Sequence, residues 1–234
     1  MKTTREPGSR QILQEQAYAF VKMAILEARL RPGQLVSETY LASTLGMSRT
    51  PIREALRALE LEGLIRTVST RGTFVTELDV TDILEVYQLR EILESAAART
   101  AAGTMDRETT DELWRRLEEA KESAARGDFH PTREVDSQVH ALIIGATRNS
   151  RLVRFMDQIG EQVRRIRALQ EQSQPSGARA NGQRPDRLLA ELQQLVDALR
   201  VGDPDGAEKA MREHLANARR NALRFASPAG MDLA

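Results

Sequence analysis

Three arginines, Arg49, Arg53 and Arg57, recur at i, i+4 and i+8 within Ser48 to Ile65, while Ile52, Leu56 and Leu59 form a neighbouring apolar stripe. A helix so divided packs on one face and presents planar guanidinium groups on the other, the chemistry that reads guanine edges and phosphates in duplex DNA. Spacing alone also allows a solvated face, since Glu54 and Glu60 are interleaved with the arginines. A second constellation is Asp136 and His140, four residues apart on one helical stripe, which suits a metal ion or a simple hydrogen-bonded pair. Arg90 is the third, standing with Val86, Leu93 and Ala97 at the edge of an apolar stripe. There it can snorkel, pair with Glu94 at i+4, or grip a carboxylate with its planar fork.

The elements that must position the first group are written around it. Ser48 is a suitable N-cap, Pro51 falls in the first turn where no amide is missed, and Gly63 tolerates the left-handed conformation that ends a helix. Ser37 to Leu45 predicts a short preceding helix with Tyr40, Leu41 and Leu45 inward, and Gly46 a tight turn between the two. Leu64 to Val68 and Thr73 to Thr76 flank a polar turn ending at Gly72, a hairpin pattern that forms a wing with Arg71 and Gly72 at its tip. Ile12 to Leu30 predicts a long first helix with Ile12, Ala19/Phe20, Met23 and Leu26/Leu30 on its apolar face. The whole is a winged helix-turn-helix over residues 9–77.

From Asp79 onward the pattern is helical, broken near Gly103, Gly127, Asn149 and Gly202, with a loop-like stretch from Gln174 to Pro185. Six segments result: 79–102, 106–126, 131–148, 150–172, 184–200 and 204–225. They predict an all-α antiparallel helical bundle over residues 79–226, so the fold class is mainly α. The tails 1–8 and 227–234 are expected to be mobile, and His130, just before Pro131, to serve at the surface or as a cap.

Composition agrees with two ordinary globular domains: 234 residues, 41% hydrophobic and 29% charged. No apolar run approaches the length of a bilayer helix, the N-terminus lacks the core of a signal segment, and cysteine is absent, all consistent with a cytoplasmic protein. The 34 basic residues cancel the 34 acidic ones. Residues 1–78 hold 11 basic against 8 acidic side chains, so non-specific attraction to DNA is modest and two heads on one palindrome are expected.

Gln34 to Gly72, QLVSETYLASTLGMSRTPIREALRALELEGLIRTVSTRG, resembles the DNA-binding domain of GntR-type bacterial transcription regulators. The resemblance implies Ser48, Arg49, Thr50 and Arg53 as operator contacts, with Arg71 and Gly72 at the wing. Thr39 departs from members that carry arginine there. The second half is similar to the FCD effector-binding and dimerisation domain of one GntR subfamily, through Leu89 to Leu93, Asp136 to His140, Asn149, Ala198 to Asp203 and Met211 to Leu215.

That similarity implies Arg90, Asp136, His140 and His214 as the effector site. It also implies Asp136, His140 and His214 as ligands of a divalent metal such as zinc, with Leu192 where a fourth ligand is expected. Three ligands plus water or an effector carboxylate, or a metal-free pocket, both remain open. The expectation is a homodimeric transcription regulator, a repressor, that binds a palindromic double-stranded DNA operator and responds to a small carboxylate effector. A ligand-blind dimer and a metal-dependent enzyme in the helical half are the alternatives. No nucleophile motif, phosphate loop or second acidic cluster accompanies the Asp136–His140 pair to support the enzyme.

Overall fold

The computed structural model describes residues 7–172 and 185–226, and the chain divides into two compact units, Met1–Leu78 and Asp79–Ala234. The expected loop over 174–184 and most of both expected mobile tails lie outside the described residues.

In the first unit, α1 (Pro7–Leu26) is followed by β1 (Leu35–Val36), α2 (Glu38–Leu45), α3 (Arg49–Leu61), β2 (Ile65–Val68) and β3 (Gly72–Val75). The strands form an antiparallel sheet in the order β1-β3-β2, with Leu35 opposite Phe74 and Thr67 opposite Thr73. Strand β1, only two residues long, is too short to show a period in the sequence.

Glycines close both recognition-motif helices. Gly46 and Gly63 lie at φ 63° and 73°, and the following amides, of Met47 and Leu64, reach back to the carbonyls of Ala42 and Leu59. Each is a Schellman closure, which satisfies carbonyls that the helix end would leave open. Ser37 caps α2 by accepting from the Tyr40 amide, whereas Ser48 occupies the cap position of α3 without a capping hydrogen bond.

Two packing expectations are corrected. The inward stripe of α1 is Ala17, Val21, Ala24 and Ile25, while Ile12 and Met23 are exposed. Small residues at 17 and 24 let α1 approach closely, and the helix is apolar over too wide an arc for periodicity to choose the stripe. Tyr40 points outward, 65% exposed, because Leu41 alone of that pair lies on the stripe of α2 facing α3.

The second unit comprises α4 (Val80–Thr104), α5 (Arg107–Ala125), α6 (His130–Ala146), α7 (Ser150–Gln172), α8 (Pro185–Val201) and α9 (Pro204–Ala226). Their starts follow from the sequence. Asp79 and Asp82 form a reciprocal capping box, Asp106 accepts from the Thr109 amide, and Asn149 Oδ1 accepts from the amides of Arg151 and Leu152. His130 is exposed at the first turn of α6, where its own amide donates to Asp128. Helix α4 packs along α9 and also meets α6, α7 and α8, so its buried face becomes a common wall. Leu192, Leu195, Val196 and Met211 are among the fully buried side chains of this core. Leu192 therefore serves packing, and Leu192→Ala should cost about 2–5 kcal/mol by the cavity it opens, measured by denaturant unfolding.

Candidate functional site

The first candidate surface is the N-terminal turn of α3. Ser48, Arg49 and Thr50 are exposed, while Pro51, Ile52, Ala55 and Leu56 bury the opposite side. Ser48 makes no side-chain capping hydrogen bond, so among the described residues the start of α3 is left uncapped, as an anion-binding helix start requires. Arg53 is exposed but not idle: its Nε donates to Glu38 on α2 at 2.8 Å. Sequence reading missed this pair. In solvent it holds little energy, so it orients the guanidinium without locking it.

Arg71 and Gly72 stand exposed where β3 begins. Gly72 has φ +109°, and a Cβ there would lie 2.9 Å from Leu35 Cδ1. The backbone angle strains any larger residue there, whereas the exposed end of the Leu35 side chain can shift to admit a Cβ. Gly72→Ala is expected to lose about 1–3 kcal/mol and to misplace Arg71. Denaturant unfolding checks the first part, and a variant as stable as the parent would remove the argument.

The second candidate site is a buried polar cluster in the helical unit. Arg90 on α4 is 5% exposed, and its Nε donates to Glu94 Oε1 at 2.6 Å, so the arginine neither snorkels nor reaches solvent. Glu94 Oε2 contacts His140 Nδ1 on α6. His140 Nε2 lies 3.1 Å from His214 Nε2 on α9, and His214 Nδ1 lies 3.1 Å from Glu191 Oε2 on α8. Asp136 Oδ2 accepts from Arg167 on α7 at 2.8 Å. Its Oδ1 has no hydrogen-bond partner and faces both imidazoles, 3.6 Å from His140 Nε2 and 3.4 Å from His214 Nε2. The four residues expected at the effector site thus come together from three helices.

Electrostatics follow from the pairing. Burial opposes the charge on Glu94, yet His140 and Arg90 beside it hold its carboxyl well below the usual range. Burial likewise opposes the charge on Asp136, and Arg167 with the two histidines overrides it. His214 is desolvated, but the neighbouring Asp136 and Glu191 carboxylates raise it to about 9. A carboxylate can only accept, so both Nδ1 atoms are donors and the two Nε2 atoms face each other. Two lone pairs at 3.1 Å repel unless a cation lies between them, and the raised His214 supplies it as a proton.

Asp136, His140 and His214 offer ligand atoms within 4.8 Å of one another. Two ligands on one tetrahedral zinc stand about 3.3–3.4 Å apart, close to the separations here. The orphaned Asp136 Oδ1 and the carboxylates behind each imidazole fit such an ion as well, since metal-bound histidines are oriented in this way. The residues therefore fit a three-ligand centre, and Leu192, in the core, adds no fourth.

Beside the cluster is a cavity of about 530 Å³ lined by charged side chains including Arg90, Glu94, Asp136 and Arg167 and by Val153, Met156, Ile159 and Val163 of α7. Glu94 was legible as a partner of Arg90. Arg167 and Glu191 were missed, because each reaches the cluster from a helix with no sequence spacing linking it to Asp136 or His214.

Comparison with known proteins finds similarity to regulators over most of the chain. Residues 13–75 match the model of bacterial regulatory proteins of the gntR family, and residues 85–217 match the FCD domain. The chain is 32% identical over 216 residues to a "Probable D-xylose utilization operon transcriptional repressor" of Paenarthrobacter nicotinovorans, covering 92% of this chain and 91% of that one. It is 25% identical to the HTH-type transcriptional repressor RspR of Escherichia coli K12, over 88% and 86% of the two chains. A GntR transcriptional regulator from Rhodococcus sp. RHA1 shares the fold, with a TM-score of 0.68 at 22% identity over 90% of this chain and 97% of that one.

Proposed function

The chain belongs to the gntR family of bacterial regulatory proteins and carries an FCD domain, and from that premise we propose that this transcription regulator is a repressor. It binds a palindromic operator as a homodimer and releases it when an organic acid enters the helical unit. Family membership makes the protein a regulator and not an enzyme, which supports reading the buried cluster as a ligand site and not a catalytic one.

The observation that carries the reading is the exposed, uncapped start of α3, with Arg49 and Arg53 beside it. Either arginine can present its fork to guanine O6 and N7, while Ser48, Thr50 and the first amides hold phosphate and Arg71 with Gly72 approach from the wing. The charge excess of the DNA-binding unit is small, so one head binds weakly and two-fold pairing supplies the affinity. Work on DNA implies a cytoplasmic protein, and among the described residues no helix is long and apolar enough to cross a membrane.

In the helical unit, Arg90, Asp136, His140 and His214 form the effector site. Asp136, His140 and His214 would hold a divalent ion such as zinc, which when bound supplies a Lewis-acidic centre for an acid's carboxylate. Native mass spectrometry of the full chain with one equivalent of zinc is expected to show one ion per protomer, lost in His140→Ala.

Selection of bound fragments from random duplex DNA tests the main reading. An inverted repeat, two half-sites about one helical turn or a multiple apart, is expected. Enrichment of a single half-site without symmetry would overturn the dimeric reading. Retention of operator across a broad panel of acids would favour a ligand-blind dimer.

A further inference from the structure

Helix α2 carries a single charged side chain, and it is negative: Glu38–Leu45 holds no lysine or arginine. A carboxylate beside a DNA-reading surface repels phosphate and weakens every encounter with DNA, whatever its sequence. Glu38 Oε2 accepts from Arg53 Nε on α3 at 2.8 Å. Glu54, next to Arg53 in the chain, is held instead by Arg10 of α1, which leaves Glu38 as the counter-ion of Arg53. We propose that Glu38 is a positioning residue for base reading, which aims Arg53 end-on at a guanine and keeps that arginine off the phosphates. The inference rests on the DNA-reading surface proposed above and deepens it by naming what aims one of its arginines.

The ion pair divides the guanidinium. A guanidinium offers one fork through Nε with an Nη and another through both Nη atoms. Glu38 takes Nε and so closes the first, while neither Nη has a hydrogen-bond partner among the described residues. The second fork remains for guanine O6 and N7.

The side chains of Arg53 and Glu38 are 57% and 33% exposed, so water screens the pair in the free protein and it contributes little there. Duplex DNA lying over this surface would exclude that water and strengthen the pair. The constraint therefore acts chiefly in the complex. An arginine without it has many rotamers and can reach the nearest phosphate oxygen, which raises affinity for any sequence and discriminates among none. A carboxylate at this position thus trades general affinity for selectivity.

Binding of the full chain to the selected operator and to scrambled duplex, over a range of salt, tests this with Glu38→Ala, Glu38→Gln, Arg53→Ala and the Glu38→Ala, Arg53→Ala double variant. Glu38→Ala is expected to reduce the ratio of operator to scrambled affinity by at least about tenfold, with scrambled DNA bound more tightly and the operator more weakly. On scrambled DNA its slope of log affinity against log salt should steepen by about one per head, as Arg53 turns to phosphate. Glu38→Gln keeps an acceptor for Nε and should retain more of the ratio than Glu38→Ala. In the Arg53→Ala background, Glu38→Ala should lower the ratio no further. Operator and scrambled affinities that moved together would overturn the inference: an equal rise would mark Glu38 as a bystander charge, and an equal fall as a residue needed only for the start of α2. A further loss of ratio in the Arg53→Ala background would overturn it as well, while leaving the reading surface in place. Arg53→Ala binding the operator as tightly as the parent would remove Arg53 from that surface, and this inference with it.

Discussion

An Arg49→Ala, Arg53→Ala double variant is expected to lose at least about a hundredfold in operator affinity, because each bidentate arginine–guanine contact discriminates by about 1–3 kcal/mol and a dimer loses both heads at once. Fold stability should barely change. Arg49 and Arg53 are exposed, and the one ion pair involved, Arg53 with Glu38, lies in solvent. Electrophoretic mobility shift with the selected operator and with scrambled DNA checks the point. If the variant bound the operator as tightly as the parent, the base-reading surface would lie elsewhere. If specific and scrambled DNA lost affinity equally, the arginines would hold phosphate and not bases. The second outcome has its own signature, a shallower dependence of affinity on salt.

Arg90→Ala is expected to destabilise the helical unit by about 3–5 kcal/mol, because it leaves the Glu94 carboxylate buried without its guanidinium partner. For a protein of this size that corresponds to a fall of about 10 °C in the unfolding midpoint. The loss belongs to the orphaned charge and not to the pair as such, so Arg90→Met combined with Glu94→Leu should recover much of it. Thermal unfolding followed by circular dichroism distinguishes the two variants. A double variant as unstable as Arg90→Ala would mean that the polar cluster as a whole holds α4, α6, α8 and α9 in place.

The DNA-binding unit was legible in detail where local rules act. Gly63 announced a left-handed closure and Gly46 a tight turn, the stripe of Ile52, Leu56 and Leu59 announced the buried side of α3, and Gly72 announced the wing turn. Each is a choice made by a few neighbouring residues. The errors, Tyr40 and the stripe of α1, came where two faces of a helix were both apolar enough to pack and only the partner element could choose. Strand β1 was missed for a related reason: its two residues become a strand through β3, not through their own pattern.

In the helical unit the sequence by itself determined that Asp136 and His140 share a stripe, because four residues make about one turn, and that Glu94 lies within reach of Arg90. Only the tertiary structure decided that Arg167 reaches Asp136 from α7, that Glu191 turns His214 toward His140, and that Leu192 is part of the core. Those contacts join helices through packing angles and axial offsets, which depend on all the side chains between them at once. Periodicity along one helix contains no such term, so it could pair Asp136 with His140, while His214 entered only by resemblance, and it could not show that the three face one another across an unpaired carboxylate oxygen.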